Sequence, residues 1–354
     1  MSSSFLGGDG RRLTRGRLAA IAIASLAACA VVAIVAPMIG VAGDRSGWHL
    51  DLIGPSALDA ASPDHAILMV RLPRVLAALL AGAALAGAGC TLQALLRNPL
   101  AEPFTLGISS GASLGAVIAI RFGAERLLGY GGVGLGALAG AVATLFAIWQ
   151  LAVVGRRLPP VTLILAGVAI SMFCSSASIL IQWTTSFDIV EHMLAWMMGG
   201  LDTVRLGWVA AAALPIGGGL VALVLYGKEM NALAAGAESA ASVGVAVERT
   251  QLVLFGVASL LVGAAIAIVG PIGFVGLVVP HAMRQLVGSD HRALLVASIF
   301  GGAIVLAVCD TLARTLIPMH HLPTGAITAV LGVPFFFGIL LANKRRAGLW
   351  GTAA

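Results

Sequence analysis

Charged residues are scarce in this 354-residue chain, and their scarcity excludes an ordinary water-soluble fold. Asp, Glu, Lys and Arg together make up 10% of the sequence, whereas soluble domains carry about 25%. Hydrophobic residues make up 59%, and the mean hydropathy is +1.02. We therefore expect lipid to surround the chain. The net charge of +6 is small for this length, so we predict no nucleic-acid partner.

The sequence also lacks the motifs of several enzyme classes. It contains no GxxxxGK[ST] loop for ATP phosphates, no HExxH zinc motif and no GxS nucleophile in a suitable context. The four cysteines stand singly in apolar stretches without CxxC spacing, which predicts packing residues instead of disulfides or zinc ligands. We therefore predict that the chain is not an enzyme and has no cofactor.

Long apolar segments are abundant. A membrane-spanning helix needs about 20 apolar residues, and lipid leaves no partners for open strand edges, so an all-α polytopic membrane protein of about ten transmembrane helices is predicted. Residues 18–343 would form this domain, between an N-terminal tail (1–17) and a C-terminal tail (344–354). The predicted segments are 18–40, 72–95, 104–122, 132–154, 161–183, 206–226, 251–270, 274–288, 293–316 and 323–343, the eighth of them short.

Lys and Arg are distributed unequally between the loops. With both termini in the cytoplasm, fourteen of the 21 Lys and Arg residues fall on the cytoplasmic side, as the positive-inside rule requires. The segment 228–250 then becomes the longest polar cytoplasmic stretch. It is alanine-rich and interrupted by Gly236 and Gly244, so it can be a docking element of two short helices or a solvated connector.

Two periodic patterns occur within the predicted spans. Glycines four apart in 107–115 and 132–140 predict close helix packing. In the fifth span, four polar residues follow one another at steps of four, three and four, which places them on one helix face. They form interhelical hydrogen bonds or line a translocation path, and they are Ser171, Ser175, Ser178 and Gln182.

Histidine is the remaining candidate for metal chemistry. His320 and His321 stand side by side before the tenth span. Adjacent residues seldom point the same way, so we predict no metal site and keep this pair as the weaker alternative. Residues 184–205 predict a short amphipathic helix at the membrane interface.

Several short stretches match a known family in order, from about residue 65 to 343. They are Arg71-Leu72-Pro73-Arg74, the turn from Gln93 to Pro103, 106–112, 196–201, 236–240, 273–277 with Pro280-His281, Asp310 with Arg314, and 332–336. Together they resemble the FecCD family, the permease subunits of importers for iron-siderophores, haem and vitamin B12 that are driven by ATP-binding-cassette (ABC) subunits.

The resemblance implies the function and the partners. The chain would be the permease of a type II ABC importer that moves a ferric siderophore across the bacterial inner membrane, with haem or cobalamin as alternative cargo. It would pair with a second copy of itself, with the path on the two-fold axis. Two ATP-binding subunits would hydrolyse ATP, and a periplasmic or lipid-anchored binding protein would deliver the cargo.

The resemblance also implies roles for particular residues. Outer arginines that pair with binding-protein glutamates correspond to Arg71, Arg74 and Arg314. Asn98 and Pro99, in the turn after the second span, are candidates for an inner gate. The family's coupling helices, which contact the ATP-binding subunits, correspond to Asn231, Leu233, Gly236, Glu238, Ala240 and Gly244.

The chain departs from the family at two positions. His321 stands where an acidic residue is usual, which makes haem more plausible as cargo, and Gly200 stands where serine is frequent. A different class, the ion-coupled secondary transporter, would need ionisable residues within the membrane. Asp310 and Arg314 are the nearest candidates for that role.

Overall fold

The computed structural model describes residues 14–44, 47–153, 158–202, 204–317 and 322–346. This part contains fourteen α-helices and one antiparallel hairpin. In chain order they are α1 (Arg15–Met38), β1 (Ile39–Asp44), β2 (Gly47–Leu52), α2 (Pro63–Leu95), α3 (Ile108–Arg121), α4 (Ala124–Leu128), α5 (Tyr130–Ala152), α6 (Pro160–Trp183), α7 (Phe187–Met197), α8 (Leu206–Leu225), α9 (Gly227–Ala235), α10 (Ala237–Ser242), α11 (Val247–Val269), α12 (Val275–Val287), α13 (His291–Thr315) and α14 (Thr324–Arg346).

Each of the ten predicted spans corresponds to one helix, so the all-α membrane fold is confirmed. Seven helices are long and apolar enough to cross a membrane, namely α1, α2, α5, α6, α8, α11 and α13. The apolar parts of α3 and α14 are shorter, and α12, the eighth predicted span, has only 13 residues.

The second span begins nine residues earlier than predicted. The hydroxyl of Ser62 accepts a hydrogen bond from the backbone N–H of Asp64, and Pro63 occupies the first helical position. Both features are favoured at helix starts. Helix α2 therefore extends beyond the apolar stretch, and Arg71 and Arg74 lie within it.

Helix α2 is the centre of the bundle. It packs on α8, α11, α12 and α13, and 83% of its most apolar window is buried, against none of the corresponding window of α1. Glycine allows this density, because a Cβ at Gly82 would overlap the backbone of Gly302 in α13. A Cβ at Gly89 would lie 2.6 Å from Cα of Gly276 in α12. Close backbone contact of this kind is how membrane helices gain packing energy.

The predicted glycine strips of α3 and α5 pack against each other. A Cβ at Gly115 would lie 3.0 Å from Cα of Gly140, and one at Gly111 would lie 3.0 Å from the carbonyl oxygen of Gly140. The close-packing interpretation of this spacing is therefore confirmed.

The short helices and the hairpin lie at the two ends of the bundle. Sequence reasoning missed the hairpin, in which Ile39 pairs with Leu52 and Asp44 with Gly47. The predicted amphipathic segment forms α7, whose Met193 is buried. We call the end with the hairpin, Arg71, Arg74 and Arg314 the outer end. We call the end with α9 and α10 the inner end.

Candidate functional site

The three arginines predicted for docking come together at the outer end. Arg71 and Arg74 lie one turn apart on α2, and Arg314 lies near the end of α13. All three line one open cleft of about 440 Å³ beside Gly40 and Val41. The side chains are 13%, 9% and 7% exposed, respectively. The guanidinium groups are therefore set into the protein instead of projecting from it.

Each of these arginines has an aspartate partner. Nε of Arg74 donates to Oδ1 of Asp310 at 2.7 Å, and its Nη1 donates to Asp202. Nε of Arg314 lies 3.3 Å from Oδ2 of Asp310, and Nη2 of Arg71 lies 3.4 Å from Oδ2 of Asp51. The three arginines and three aspartates form a cluster with no net formal charge. Pairing of this kind makes buried charges tolerable in a low-dielectric environment.

Arg314 also binds the end of α1, at the point where the chain continues into the hairpin. Its Nη1 donates to the carbonyl of Ile39 at 3.1 Å and its Nη2 to that of Ala36 at 3.0 Å. The last carbonyls of a helix have no partner within the helix, so Arg314 satisfies the end of α1. Helix α1 and the hairpin are thereby held against α13.

Two guanidinium nitrogens in this cleft remain unused. Nη1 of Arg71 and Nη2 of Arg74 are buried and have no hydrogen-bond partner among the described residues. An unpaired buried donor is costly, so an incoming acceptor would gain from both. Sequence reasoning did not include Asp202 or Asp51. The rarity of aspartate within spans could have indicated Asp310 as a partner of arginine.

The polar stripe of α6 is divided between different environments. Ser178 is buried and donates to the carbonyl of Cys174 at 2.9 Å, whereas Gln182 contacts Sδ of Met197 in α7 at 3.3 Å. Ser171 is half-buried and faces Gly107, and Ser175 alone is exposed. The stripe thus follows the border between the packed and open faces of α6. Of the four stripe residues, only Ser175 lies on the open face.

The turn after α2 runs back into the bundle. Asn98 begins it, because its Oδ1 accepts from the N–H of Leu100 at 3.0 Å, while Pro99 is exposed. Ala101 and Leu106 are then buried. The chain therefore enters the interior between α2 and α3 as a turn followed by the 3-10 helix Pro103–Leu106, and such an interruption of the α-helical backbone is tolerated at this depth only under protein cover.

This turn holds the beginning of α12. Oε1 of Glu102 accepts a hydrogen bond from the N–H of Phe274 at 2.5 Å. Phe274 has a φ of +68°, which is rare for a bulky residue. One turn further on, Nε2 of Gln93 donates to the carbonyl of Leu277 at 3.4 Å, and Nη2 of Arg284 donates to Oε1 of Gln93 at 3.2 Å. Sequence reasoning included the turn but assigned no role to Glu102.

The predicted coupling segment forms two short helices at the inner end. Helix α9 ends at Gly236, where φ is +128°, and a second turn at Gly244 has a φ of +85°. Both breaks were predicted from the glycines, and both are confirmed. Glu238 and Gly244 are exposed, whereas Leu233 and Ala240 are buried. Glu238 therefore belongs to the open surface, and the two apolar residues anchor the helices to the bundle.

A cleft of about 630 Å³ opens beside α10. Its lining includes Glu238 from α10, Glu248 and Arg249 from the start of α11, and Arg97 from the end of α2. The remaining predicted coupling residue, Asn231, faces the bundle and contacts Asp290 and His291. Hydrogen bonds from the side chain of Arg292 lower the pKa of Asp290 to about 2, assisted by the one from Asn231, so that this carboxylate is ionised at any physiological pH.

Metal chemistry finds no support in the described part of the chain. No group of three or more His, Cys, Asp and Glu residues there could hold a metal ion. Cys29, Cys90, Cys174 and Cys309 are all free. His320 and His321 lie outside the described residues.

With this geometry in place, comparison with known proteins identifies the family. The profile of the FecCD transport family matches residues 50–342, which include the three arginines of the cleft and the two inner helices. The chain belongs to the FecCD transport family. Its family resemblance is therefore confirmed over most of its length.

Similar proteins carry transporter names. The chain is 37% identical over 326 residues to the vitamin B12 import system permease protein of Citrobacter koseri, covering 91% of this chain and 94% of that protein. It is 40% identical over 278 residues to the cobalamin import system permease protein of Halobacterium salinarum, covering 78% and 74%. A solved structure, described as an inward-facing conformation of a metal-chelate type ABC transporter, matches with a TM-score of 0.77 and 28% identity over 92% of this chain and 99% of that one.

The chain is accordingly an ABC-importer permease of the FecCD type and a multi-pass membrane protein. Its relatives are permease subunits and not enzymes. The prediction that this chain is a transport subunit is therefore confirmed.

Proposed function

We propose that this chain is the permease through which an ABC importer moves a large metal chelate across the bacterial inner membrane. The observation that carries the proposal is the family match over residues 50–342. The matched region contains the three arginines of the outer cleft and the exposed inner surface on α9 and α10. A permease needs both ends, one for cargo delivery and one for the ATP-driven subunits.

The cargo belongs to a class that includes cobalamin and ferric siderophores. The names of the two relatives favour cobalamin, whereas a ferric siderophore was the prediction from sequence and the matched solved structure is of metal-chelate type. Both are bulky complexes of a metal with an organic chelator. We put cobalamin first, since those relatives are 37% and 40% identical to this chain, against 28% for the metal-chelate transporter. Haem is the remaining alternative.

At the outer end, a binding protein would dock by carboxylates. Arg71 and Arg74 each have a buried N–H donor without a partner, and both line the open cleft. A carboxylate that enters there would accept from both residues once their side chains turn these buried nitrogens toward the cleft, and charge-assisted hydrogen bonds of this type are the strong ones. Arg314 would act indirectly, by holding Asp310 and the end of α1 in position.

At the inner end, two ATP-binding subunits would contact α9 and α10 on a homodimer. Glu238 and its exposed neighbours Ser239 and Ala241 offer a small, smooth surface that fits a groove. Leu233 and Ala240, which are buried, would keep this surface in place. Both termini are proposed to be cytoplasmic, in accordance with the charge distribution.

The path itself would run along the open face of α6 at the two-fold axis. Ser175 is the exposed polar residue of the predicted stripe, and the turn with Asn98 and Pro99 is proposed as part of the inner gate. The ion-coupled alternative fits less well. Asp310 is held by Arg74, Arg314 and Thr324, so its carboxylate is not placed to exchange a proton or ion with a path.

The test is uptake with a matched pair of surface variants. Cells that lack their own cobalamin, siderophore and haem permeases receive this chain with its binding protein and ATP-binding subunits. Uptake of labelled cobalamin that requires ATP hydrolysis is expected, with Glu238→Arg abolishing co-purification of the ATP-binding subunit and Ser242→Ala retaining it. Uptake that survives loss of ATP hydrolysis, or unchanged co-purification with Glu238→Arg, would contradict the proposal.

A further inference from the structure

Helix α9 is pressed against the start of α13 through one of its faces. Gly227 and Asn231 lie four residues apart and hence on the same side of the helix. A Cβ at Gly227 would lie 3.2 Å from Cα of Arg292, so the first turn of α9 touches the backbone of α13. Met230, beside them, is fully buried. The face of α9 that points away from the exposed inner surface therefore packs against the connection between α12 and α13.

The amide of Asn231 binds this connection through both of its ends. Its Nδ2 donates to Oδ1 of Asp290 at 2.8 Å. Its Oδ1 accepts from the backbone N–H of His291 at 2.8 Å and lies 2.8 Å from Nδ1 of the same residue. The backbone N–H can only donate, which fixes the orientation of the amide. The imidazole then carries its proton on Nδ1.

This contact lies at the point where two membrane helices meet. Asp290 caps α13, because its Oδ1 accepts from the N–H of Arg292 at 3.0 Å. Helix α12 ends at Val287, three residues earlier, before Gly288 with a φ of +96°. Asn231 therefore contacts the beginning of α13, three residues after the end of α12.

Helix α12 leads from this contact to the interior turn. Near its inner end, Arg284 donates to Gln93 of α2 at 3.2 Å. At its other end, the N–H of Phe274 is held by Glu102, whose turn continues into α3. The chain of contacts thus runs from α9 through the α12–α13 connection to the turn that carries Asn98 and Pro99.

We propose that Asn231 is a positioning residue that transmits movement of α9 to the α12–α13 connection, and that it does not bind the ATP-binding subunit. The proposal rests on the proposed function, since it requires that α9 be moved by a partner at the inner end. Asn231 is held to this connection at two points, because its amide both donates to Asp290 and accepts from His291. Glu238 on the exposed surface makes the partner contact, and Asn231 converts that contact into displacement of α12.

The experiment measures cargo transported per ATP hydrolysed, with the complete complex in proteoliposomes. Asn231→Ala is expected to retain assembly and ATP hydrolysis while transport per ATP falls at least about tenfold, the factor that loss of a single net hydrogen bond already gives. Asp290→Ser is a second variant that keeps a residue favoured for capping but removes the charged acceptor for Asn231. The double variant is expected to show no further loss, because both changes break one contact.

Gly218→Ala is the control, since Gly218 is exposed on α8, away from both proposed contacts, and an added Cβ there would meet nothing within 4 Å. Unchanged transport per ATP in Asn231→Ala would overturn the proposal, and so would loss of ATP-binding subunits from that variant, which would make Asn231 a contact residue. A wild-type complex without ATP-dependent uptake would overturn the proposed function, and this proposal with it.

Discussion

Replacing Asp310 with asparagine should destabilise the outer end of the bundle more than any other single change of similar size. The side chain is completely buried. Its Oδ1 accepts from Nε of Arg74 at 2.7 Å and from the hydroxyl of Thr324 at 3.2 Å, and its Oδ2 lies 3.3 Å from Nε of Arg314. One carboxylate thus joins α2, α13 and α14.

The magnitude follows from the charges that remain. Asparagine has nearly the same shape as aspartate but no charge. Its side-chain NH₂ group would replace one carboxylate oxygen and so face the N–H donors of Arg74 or of Arg314. Arg74 would keep Asp202, but Arg314 would lose its aspartate partner. Removing one partner of a buried ion pair costs about 3 to 5 kcal/mol. We expect Asp310→Asn to lower the free energy of unfolding by this amount.

The assay is equilibrium unfolding of the purified chain in mixed detergent micelles, followed by circular dichroism. Arg314→Met, measured alone and with Asp310→Asn, completes a double-mutant cycle. Residues in one ion-pair network have coupling energies of about 0.5 to 3 kcal/mol, so the double variant should lose less than the sum of the single changes.

The control is Ser259→Ala in α11. Ser259 is as buried as Asp310, but its hydroxyl has no partner among the described residues, so its removal should be nearly neutral. A loss of less than about 1 kcal/mol for Asp310→Asn, or additive effects in the cycle, would refute the reasoning, since a buried ion pair broken on one side cannot cost so little.

Three further predictions follow from other contacts. Gly115→Val should lower the free energy of unfolding by about 1 to 3 kcal/mol, because its side chain would press on Gly140. Gly207→Ala, at a glycine with open space, is the control in the same unfolding assay. Arg71→Gln should slow association of the binding protein and weaken its dependence on salt, with a smaller effect on dissociation, in surface plasmon resonance. Unchanged association would count against docking at this cleft. Finally, the pKa of Asp290 lies at about 2, below its ordinary value of 3.8. The stability it contributes is therefore complete above pH 3.8 and is lost only as the pH falls through 2, so the loss of transport per ATP caused by Asn231→Ala should be equal at pH 7.5 and 5.5. A smaller loss at pH 5.5 would show that another group controls the contact.

Local composition was sufficient for the predictions that concern single elements. Apolar length located all ten helices of the bundle, and the glycines at 236 and 244 located the breaks around α10. Glycine spacing also predicted the α3–α5 contact. These features depend on residues that are neighbours along the chain or one helix turn apart, and for those the sequence contains the geometry.

Other features could not be predicted from the sequence because they join distant parts of the chain. The α6 stripe was predicted as one polar face, yet Ser178 bonds its own helix and Gln182 contacts α7. Glu102 received no role, because nothing in its own segment shows that Phe274 will present an N–H to it. The hairpin was missed because the segments around it were read only as a loop between spans.

The sequence by itself determined a lipid-embedded helical bundle and its family, because apolar length and local motifs are properties of short stretches. Only the tertiary structure decided which charges meet. Arg74 and Asp310 are separated by 236 positions and lie 2.7 Å apart, and Asn231 reaches across 59 positions to Asp290. In lipid, a buried charge or amide must find its partner within the protein, and which partner it finds depends on how the helices pack.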